Sequence, residues 1–349
     1  MAGAANRTAE RVSRWPTPTG HPGSRVRPDK EPERLHPGYA FKWDFDDFRD
    51  KRWRPQGITQ DYDGDGRSPA KTLLVSWYAR PGARRQGARL TVVNWSASGA
   101  ITYRHALLVE PFSERDEQGE VRDDFGATDI HAGGIARYGN DLYIADSGKR
   151  GIRVFDLQKF FKVARGSGIG RQPDGKTFHA FGYEYVLPQS FGYDWVGSAP
   201  TLTVSQVSVD RTTESGPGLL VSEFDRDGRP RLVRWPFEDG KLRPQAEWAA
   251  AVPGGTSTQG AVKVRSTYYL TTSRGSTTRG ELRRWKESWV DGPKRRSGLN
   301  IGCEDLSYDG SGAGALWTLG EYANDVRPDN PGPDDPRAPF SRYVYAVKL

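Results

Sequence analysis

The stretch GGIARYGNDLYIADSGKRGIRVFDL, residues 133–157, decides the fold. It contains three short runs in which apolar and polar residues alternate, separated by the turn-forming stretches GND and SGKRG. Alternation with a period of two, bounded by such residues, predicts antiparallel strands joined by hairpins. The segment therefore predicts a three-stranded antiparallel unit.

Four further segments repeat this unit along the chain. In each, a second strand has an apolar core that ends in polar residues, and a third strand alternates apolar residues with charged or polar ones. The second-strand cores are LLVSWY (73–78), LYIADS (142–147), LLVSEF (219–224), YYLTTS (268–273) and LWTLGE (316–321). The last three cores begin at about the 40 to 50 residue spacing of propeller blades, and the wider earlier spacings leave room for insertions.

Residues 133–157 resemble one blade of an NHL-like or YVTN-like β-propeller, and weaker copies cover residues 56–349. The resemblance implies an all-β fold, a single β-propeller, and the five copies predict five blades. The fifth copy ends at Leu349 and lacks an outer strand. We expect the alternating aromatic segment YAFKWDF (39–45) to supply it, closing the ring and removing free sheet edges. An all-β sandwich built from the same hairpins is the alternative.

The first 36 residues have a different composition from the rest. They contain seven Lys and Arg among Pro, Gly, Ser and Thr, with almost no large apolar side chains. This predicts a flexible, basic, Pro-rich arm over residues 1–36, followed by one propeller domain over residues 37–349. A solvated tail is the simpler interpretation of the arm, and the net charge of +7 does not favour nucleic acid as a partner. One helical pattern occurs, at Leu157–Arg165.

Composition also bounds the class of protein. No apolar run approaches the roughly 18 residues of a membrane-spanning helix, so we expect no membrane span. The single Cys303 excludes an intrachain disulfide and a multi-cysteine metal site, and we interpret it as a small buried hydrophobe. The opening MAGAAN and the scarcity of Cys and Met predict a secreted protein without its signal sequence. A cytoplasmic protein is the alternative, and the oligomeric state is not set by the sequence.

In a propeller, the loops leading into the inner strands and the loops leaving the second strands open on one face. These positions hold amides, carboxylates and aromatic side chains. We therefore predict that a ligand binds on the axis at this face. The predicted ligand-binding residues are Gln56, Trp77, Tyr78, Gln206, Glu223, Gln259, Arg274 and Glu321.

The candidate acid and base groups of the same face are Asp146, His131, Glu304 and Asp129. Asp129 and His131 flank Ile130, which on an extended chain places both side chains on one side. A carboxylate beside an imidazole is suited to proton transfer near neutral pH. The alternative is that His131 and Asp146 hydrogen-bond neighbouring loops and hold the axis together.

The sequence DYDGDG (61–66) resembles the start of calcium loops in EF-hands and integrin-type propeller repeats. Asp61, Asp63 and Asp65 would wrap one hard cation. The match departs at the twelfth loop position, where Thr72 replaces Glu, and at the ninth, which is Pro69. A structural calcium ion is thus the one candidate cofactor. The alternative is a metal-free acidic turn on the face opposite the ligand.

Together these patterns predict a secreted, lectin-like propeller that binds a glycan or another polar small molecule. Aromatic side chains would stack on sugar rings, while amides and carboxylates would bind hydroxyl groups. A second hypothesis is a hydrolase, lyase or cyclase that uses Asp146, His131 and Glu304 in acid and base roles. A third is a protein-interaction scaffold, since the fold alone does not choose among them.

Overall fold

The computed structural model describes residues 10–11, 21–25, 35–82, 86–95, 101–115, 118–148, 151–194, 196, 202–225, 229–255, 257–276, 278–312, 314–322 and 342–349. These residues form 27 strands and two one-turn helices, α1 (Phe45–Arg49) and α2 (Asp61–Asp65). The all-β prediction is confirmed. No helix in this part of the chain is long and apolar enough to cross a membrane.

Twenty of the strands form five antiparallel sheets of four strands each, numbered sheet 1 to sheet 5 along the chain. From inner to outer strand they are β4 (Trp53–Gln60), β5 (Thr72–Ala79), β6 (Ala88–Asn94) and β7 (Ile101–Arg115); β9 (Ile135–Tyr138), β10 (Asp141–Asp146), β11 (Gly151–Asp156) and β15 (Tyr185–Asp194); β16 (Val204–Asp210), β17 (Gly218–Glu223), β18 (Arg231–Glu238) and β20 (Trp248–Ala251); β21 (Thr258–Val264), β22 (Thr267–Thr272), β23 (Arg279–Trp285) and β24 (Lys294–Ile301); β25 (Ser307–Asp309), β26 (Ala315–Leu319), β27 (Tyr343–Lys348) and β3 (Leu35–Lys42). Each predicted second-strand core overlaps the second strand of a sheet.

The inner strands approach one another closely at a common axis. A Cβ atom on Gly57 of sheet 1 would lie 2.7 Å from the backbone nitrogen of Ile135 in sheet 2. A Cβ atom on Gly134 of sheet 2 would lie 2.6 Å from the Cα atom of Gln206 in sheet 3. Glycine is required at these two positions because any side chain would push neighbouring sheets apart.

Side-chain hydrogen bonds continue the same ring of contacts. The Gln206 amide of sheet 3 accepts from the backbone nitrogen of Ala261 in sheet 4 at 2.9 Å. The Asp305 carboxylate, directly before sheet 5, accepts from the backbone nitrogen of Ile58 in sheet 1 at 2.9 Å. A Cβ atom on Gly260 of sheet 4 would lie 2.8 Å from the nitrogen of Leu306. The five sheets thus contact one another in a cycle, and the fold is a β-propeller.

An N-terminal strand completes sheet 5, as predicted. β3 pairs with the C-terminal strand β27, with Phe41 opposite Val344 and Ala40 opposite Tyr345. The strand begins at Leu35, inside the region expected to be the arm, and ends at Lys42. Phe45 begins α1 instead of continuing the strand.

Two short segments of the predicted arm are described, and both form strand pairs. β1 (Glu10–Arg11) pairs with β12 (Phe161–Lys162), and β2 (His21–Arg25) lies between β3 and β7. Residues 1–9, 12–20 and 26–34 lie outside the described residues. The flexible arm therefore stays a prediction.

Two insertions extend from sheets 1 and 2. The first is a hairpin in which the end of β7 pairs with β8 (Val121–Ala127). The second contains β12 and the hairpin of β13 (Ile169–Arg171) and β14 (Phe178–Ala180). In sheet 3, the short strand β19 (Lys241–Leu242) pairs with β18.

The helix expected at Leu157–Arg165 is wrong. Its apolar spacing arises because Leu157 and Phe160 are both buried on either side of a turn.

Aromatic side chains fill the space between sheets 5 and 1. The Trp43 ring centroid lies 4.9 Å from that of Trp77 and 5.0 Å from that of Tyr103. Trp95 and Trp317 are in edge contact at 5.0 Å. Aromatic rings bury large areas, so this cluster explains the high tryptophan content and joins the two ends of the chain.

Candidate ligand-binding site at the propeller axis

A β-bulge at the start of β4 aims Gln56 at the axis. The bulge lies between Pro55 and Ile58, and related irregularities occur in β16 and β21. Bulges re-aim side chains and recur beside functional sites. Gln56 is buried, and its Nε2 donates to Glu321 Oε2 at 3.1 Å. The amide is therefore held against a carboxylate from sheet 5.

Glu304 and Glu321 form a pair of carboxyl groups beside Gln56. The pair is positioned by backbone bonds: Glu304 N donates to Leu319 O at 3.1 Å, and Glu321 N donates to Gly302 O at 3.0 Å. Burial raises the pKa of Glu304 well above its usual range, and the neighbouring Glu321, to which it hydrogen-bonds, and Asp305 raise that pKa further. The raised pKa favours the protonated form of Glu304, which is a hydrogen-bond donor beside the Glu321 carboxyl group.

Two tyrosines flank the acid pair. Burial, followed by the charge of Glu321, raises the pKa of Tyr78 to about 12. The same two causes raise the pKa of Tyr322. Both phenols therefore remain protonated at neutral pH and are able to donate hydrogen bonds to a ligand. The Tyr78 ring also lies against the exposed His131 ring, with the centroids 4.2 Å apart.

Arg54 brings a positive charge to the site. Its guanidinium lies 4.7 Å from the Tyr322 ring centroid, and its Nη1 donates to the backbone oxygen of Glu321 at 3.4 Å. Arg342 Nε donates to the same Glu321 backbone oxygen at 3.3 Å. Arg54 lies two residues before Gln56 on β4. A guanidinium on a ring face is attracted by the ring quadrupole, which fixes Tyr322 next to the acid pair.

Asp305, next to Glu304, has a structural role at the axis. It is fully buried, and its Oδ2 accepts from the backbone nitrogens of Ile58 at 2.9 Å and Ile135 at 3.1 Å. Its Oδ1 accepts from Leu306 N at 2.8 Å. Burial raises the pKa of Asp305 well above its usual range, against these bonds. The group joins sheets 1, 2 and 5 at the axis.

The structure brings together five of the predicted site residues, namely Gln56, Tyr78, His131, Glu304 and Glu321. Gln206 lies on the axis but is fully buried and bonded to Ala261. Gln259 is half-buried at the β21 bulge. Arg274 is exposed and pairs with Glu281 at 3.5 Å, and Asp129 is exposed.

Three predicted residues do not line the axis. Trp77 is fully buried in the aromatic cluster, and its Nε1 donates to Thr91 Oγ1 at 2.7 Å. Asp146 is buried in an ion pair with Arg153 at 3.0 Å. Glu223 is held by Arg231 at 2.7 Å, whose bonds lower the pKa of Glu223 although burial opposes this. Each of these two carboxyl groups is held in place by an arginine of the adjacent third strand.

Arg54 and Tyr322 were not predicted from the sequence, although both adjoin predicted residues. Arg54 shares the alternation of β4 with Gln56, and Tyr322 follows Glu321. Asp305, which follows the predicted Glu304, was not predicted either. The signal available for Arg54 was its position two residues before Gln56 on the inner strand. Its partner, Glu321, lies 267 residues further along the chain.

The proposed calcium ligands lie on the opposite face, in α2, and point to different partners. Asp61 pairs with Arg137 at 2.9 Å, Asp63 Oδ2 accepts from Thr59 and Ser307 at 2.6 Å each, and Asp65 caps the following turn. Burial raises the pKa of Asp63 to about 6. Among the described residues, no group of three or more His, Cys, Asp or Glu side chains is placed to hold a metal ion. Calcium stays a prediction, and the contacts are those of the alternative acidic turn.

Comparison with known proteins gives structural similarity only. No family model and no curated protein matches the chain. The chain is similar to CoXyl43, a GH43 β-xylosidase/α-arabinofuranosidase from a compost microbial metagenome, at 10% identity and TM-score 0.37 over 91% of this chain and 95% of that one. It is also similar to the PQQ-bound aldose sugar dehydrogenase from Streptomyces coelicolor, at 14% identity and TM-score 0.35 over 93% and 99%. The Dos1 propeller matches at 9% identity and TM-score 0.31 over 91% and 75%.

The fold and the site define a class: a β-propeller with two neighbouring carboxyl groups, the buried Glu304 and the half-buried Glu321, on its axis.

Proposed function

We propose that the axial face binds a polar, hydroxyl-bearing small molecule of the carbohydrate class. The observation that carries this proposal is the Glu304–Glu321 pair. A neutral carboxylic acid beside a carboxylate offers a strong donor and a strong acceptor at one point, which is the combination a sugar hydroxyl uses. The Gln56 amide lies beside the pair and adds another donor and acceptor.

The surrounding rings suit the same class of ligand. Tyr78 and His131 form an aromatic surface at the opening, and such surfaces pack against the apolar face of a sugar ring. The Tyr322 phenol adds a donor. Aromatic walls with a few directed polar groups are the usual form of a small-molecule site. We infer that the propeller has five blades, that the ligand lies on their common axis, and that the protein is secreted.

A propeller enzyme is the second candidate, and the raised pKa of Glu304 favours it. A carboxylic acid that stays protonated near neutral pH is suited to give its proton to a leaving oxygen. Glu321 would accept a proton from an attacking water or from a carbon–hydrogen bond. Hydrolysis and elimination are thus the reaction classes, with Glu304 as the acid and Glu321 as the base.

The test is a glycan array with a metabolite binding panel, run on wild type and on Glu304→Gln, Glu321→Gln and His131→Ala. The control is Glu214→Gln, because Glu214 is an exposed glutamate. Ligand binding lost in the first three variants, with no turnover by wild type, supports the binding protein. Binding retained with turnover lost in the two glutamate variants supports the enzyme. A ligand bound equally by all variants contradicts both.

A further inference from the structure

Sheet 4 carries a large share of the net positive charge of the chain. Residues 274–296 contain β23, the loop after it and the start of β24. They include eight Lys and Arg residues against three Glu and Asp, an excess of five, whereas the net charge of the whole chain is +7. Because β23 and β24 are the two outer strands of sheet 4, this charge lies at the rim of the propeller. A concentrated charge of one sign attracts partners of the opposite sign.

Two pairs of cations lie directly opposite each other on β23 and β24. Arg283 is in register with Arg295, and Arg284 is in register with Lys294. Like charges in directly opposite positions destabilise a sheet. The two strands therefore hold an arrangement that costs stability, and an anion bound across them would relieve the repulsion.

The carboxylate nearest the first pair does not neutralise it. Glu281 forms ion pairs with Arg283 at 2.9 Å, with Arg274 at 3.5 Å and with Arg295 at 3.7 Å. One negative charge thus faces three positive ones. The side chains of Arg274 and Arg295 are 54% and 50% exposed, so a partner in solvent is able to reach both.

The second pair has no carboxylate partner in the described part of the chain. Arg284 and Lys294 are exposed, and neither forms an ion pair with a described residue. Both lie against the Trp289 ring, whose centroid is 5.6 Å from Arg284 Cζ and 4.9 Å from Lys294 Nζ. A ring face attracts a cation without cancelling its charge, so both cations remain available to an anion.

The other two carboxylates of the segment lie in the loop between the strands. Glu287 accepts from the Tyr268 hydroxyl at 3.0 Å and from Trp248 Nε1 at 3.3 Å. Asp291 is exposed. Neither forms an ion pair with a described cation of β23 or β24, so the excess of positive charge on the strands is not offset by the loop.

The length of the charged surface fits a linear polymer. The seven residues of β23 extend over about 20 Å at about 3.3 Å per residue, which is longer than a small anion. The nearby rings are already engaged, Trp289 by two cations and Trp248 by stacking on Tyr268 at 5.3 Å. Single-stranded nucleic acid needs ring faces for its bases, so the surface favours a polyanion without bases.

The same surface is poorly suited to an acidic protein. Leu282 and Trp285, which lie between the cations along β23, are buried in the core. The strands therefore present charge without the apolar centre that a protein interface has.

We propose that this surface binds an acidic polysaccharide. We call it the basic strip, and it consists of Arg274, Arg283, Arg284, Lys294 and Arg295. The carboxylates or sulfates of the polymer accept hydrogen bonds from the guanidinium and ammonium groups, and such charge-assisted bonds are strong. The basic strip shares no residue with the axial site, so the proposal does not depend on the function proposed for that site.

The experiment measures the binding of polymers to the full chain by biolayer interferometry. The probes are heparin, polygalacturonate, the neutral dextran, duplex DNA and polyglutamate. We expect heparin, polygalacturonate or both to bind more tightly than DNA and polyglutamate, and dextran not to bind. Binding should weaken as salt rises from about 0.05 to about 0.5 M, because salt screens exposed charges.

The variant that tests the basic strip is Arg284→Gln/Lys294→Gln, which should weaken polysaccharide binding at least about tenfold. The matched control is Arg67→Gln/Lys241→Gln. It removes the same two charges from an exposed arginine and an exposed lysine that form no ion pair with a described residue. The control should leave the affinity unchanged.

Binding of heparin alone assigns sulfates to the polymer, and binding of polygalacturonate alone assigns carboxylates. The proposal is overturned if neither polysaccharide binds, if DNA or polyglutamate binds more tightly than both, or if the two double variants weaken binding equally. Arg284→Gln/Lys294→Gln removes a like-charge repulsion between exposed side chains, so it should fold with about the same melting temperature. The comparison of polymers uses wild type and stands without the variant.

Discussion

Burial of the Glu304 carboxyl group, which raises its pKa, makes the stability of the fold depend on pH. The pKa of Glu304 is raised in the folded state above the 4.5 of the unfolded chain. Its contribution is therefore fully present below pH 4.5 and is lost as the pH rises through the folded pKa. The loss is about 1.4 kcal/mol per pH unit for one proton.

Glu304→Gln should remove this dependence. Glutamine keeps a donor for Glu321 but has no proton to lose, so the variant should be more stable than wild type at pH 8 and about equal to it at pH 4.5. Thermal unfolding followed by tryptophan fluorescence across this range measures the difference. Glu214→Gln is the control and should run parallel to wild type. A Glu304→Gln curve that is also parallel would contradict the raised pKa of Glu304.

Asp305→Ala tests the carboxylate that joins three sheets. The change leaves three buried backbone N–H groups, those of Ile58, Ile135 and Leu306, without their acceptor. At about 1–3 kcal/mol for each unsatisfied group, the free energy of unfolding should fall by at least about 3 kcal/mol. Urea unfolding measures this fall.

Asp174→Ala is the matched control for that experiment. Asp174 also accepts from two backbone N–H groups, those of Lys176 and Thr177, but in an exposed turn where water replaces the carboxylate. The fall in the free energy of unfolding caused by Asp174→Ala should be much smaller than that caused by Asp305→Ala. Similar losses in the two variants would show that Asp305 does not hold the axis.

At the scale of the strands, the close approach of neighbouring sheets depends on glycine at the axis. Gly134→Ala would place a methyl group 2.6 Å from the Cα atom of Gln206, a backbone atom that has little freedom to move. We expect a loss of about 1–3 kcal/mol or more, the cost of overpacking. Gly126→Ala is the control in β8, where the nearest atom lies 4.0 Å away. Chemical denaturation of both variants measures the difference in the free energy of unfolding. Equal stability of Gly134→Ala and Gly126→Ala would contradict the requirement for glycine at the axis.

The strands themselves could be predicted because period-two alternation is a local signal. LYIADS, for example, marks β10 without knowledge of its neighbours. The helix expected at Leu157–Arg165 failed for the same local reason, since two buried residues around a turn imitate helical spacing. Likewise the predicted site included both Trp77 and Tyr78, although side chains of adjacent strand residues point to opposite faces.

The remaining errors at the site come from register between strands, which sequence does not supply. Asp146 and Glu223 lie at the ends of second strands, and Tyr78 lies next to the end of another. The two carboxylates, however, form ion pairs with arginines of the adjacent third strands. Glu304 and Glu321 meet because the backbones around them are bonded across sheet 5. Whether a strand-end carboxylate is free or paired is thus decided by the neighbouring strand rather than by its own position.

At the scale of the whole molecule, the chain ends meet in one sheet. Closing the ring in this way gives sheet 5 its fourth strand, and it couples a strand from the N-terminal part of the chain to the C-terminal strand β27. The aromatic cluster reinforces the junction, because Phe41 and Trp43 from the N-terminal side pack against residues of sheet 1. Stability of the propeller should therefore depend on residues 35–44 far more than on the residues before them.

Two truncations test this dependence. Among the described residues, removal of 1–34 takes away the short pairs formed by β1 and β2. We expect the protein to remain folded with a small decrease in melting temperature. Removal of residues 1–44 also takes away β3 and the fully buried Phe41 and Trp43. Burial of each such side chain is worth about 1.5–3 kcal/mol, which with the lost strand pairing is a large part of a typical stability of about 5–15 kcal/mol. Circular dichroism melting curves and limited proteolysis compare the two. Equal melting temperatures would refute closure by β3, and unfolding of the shorter truncation would refute the expectation that the residues before β3 are dispensable.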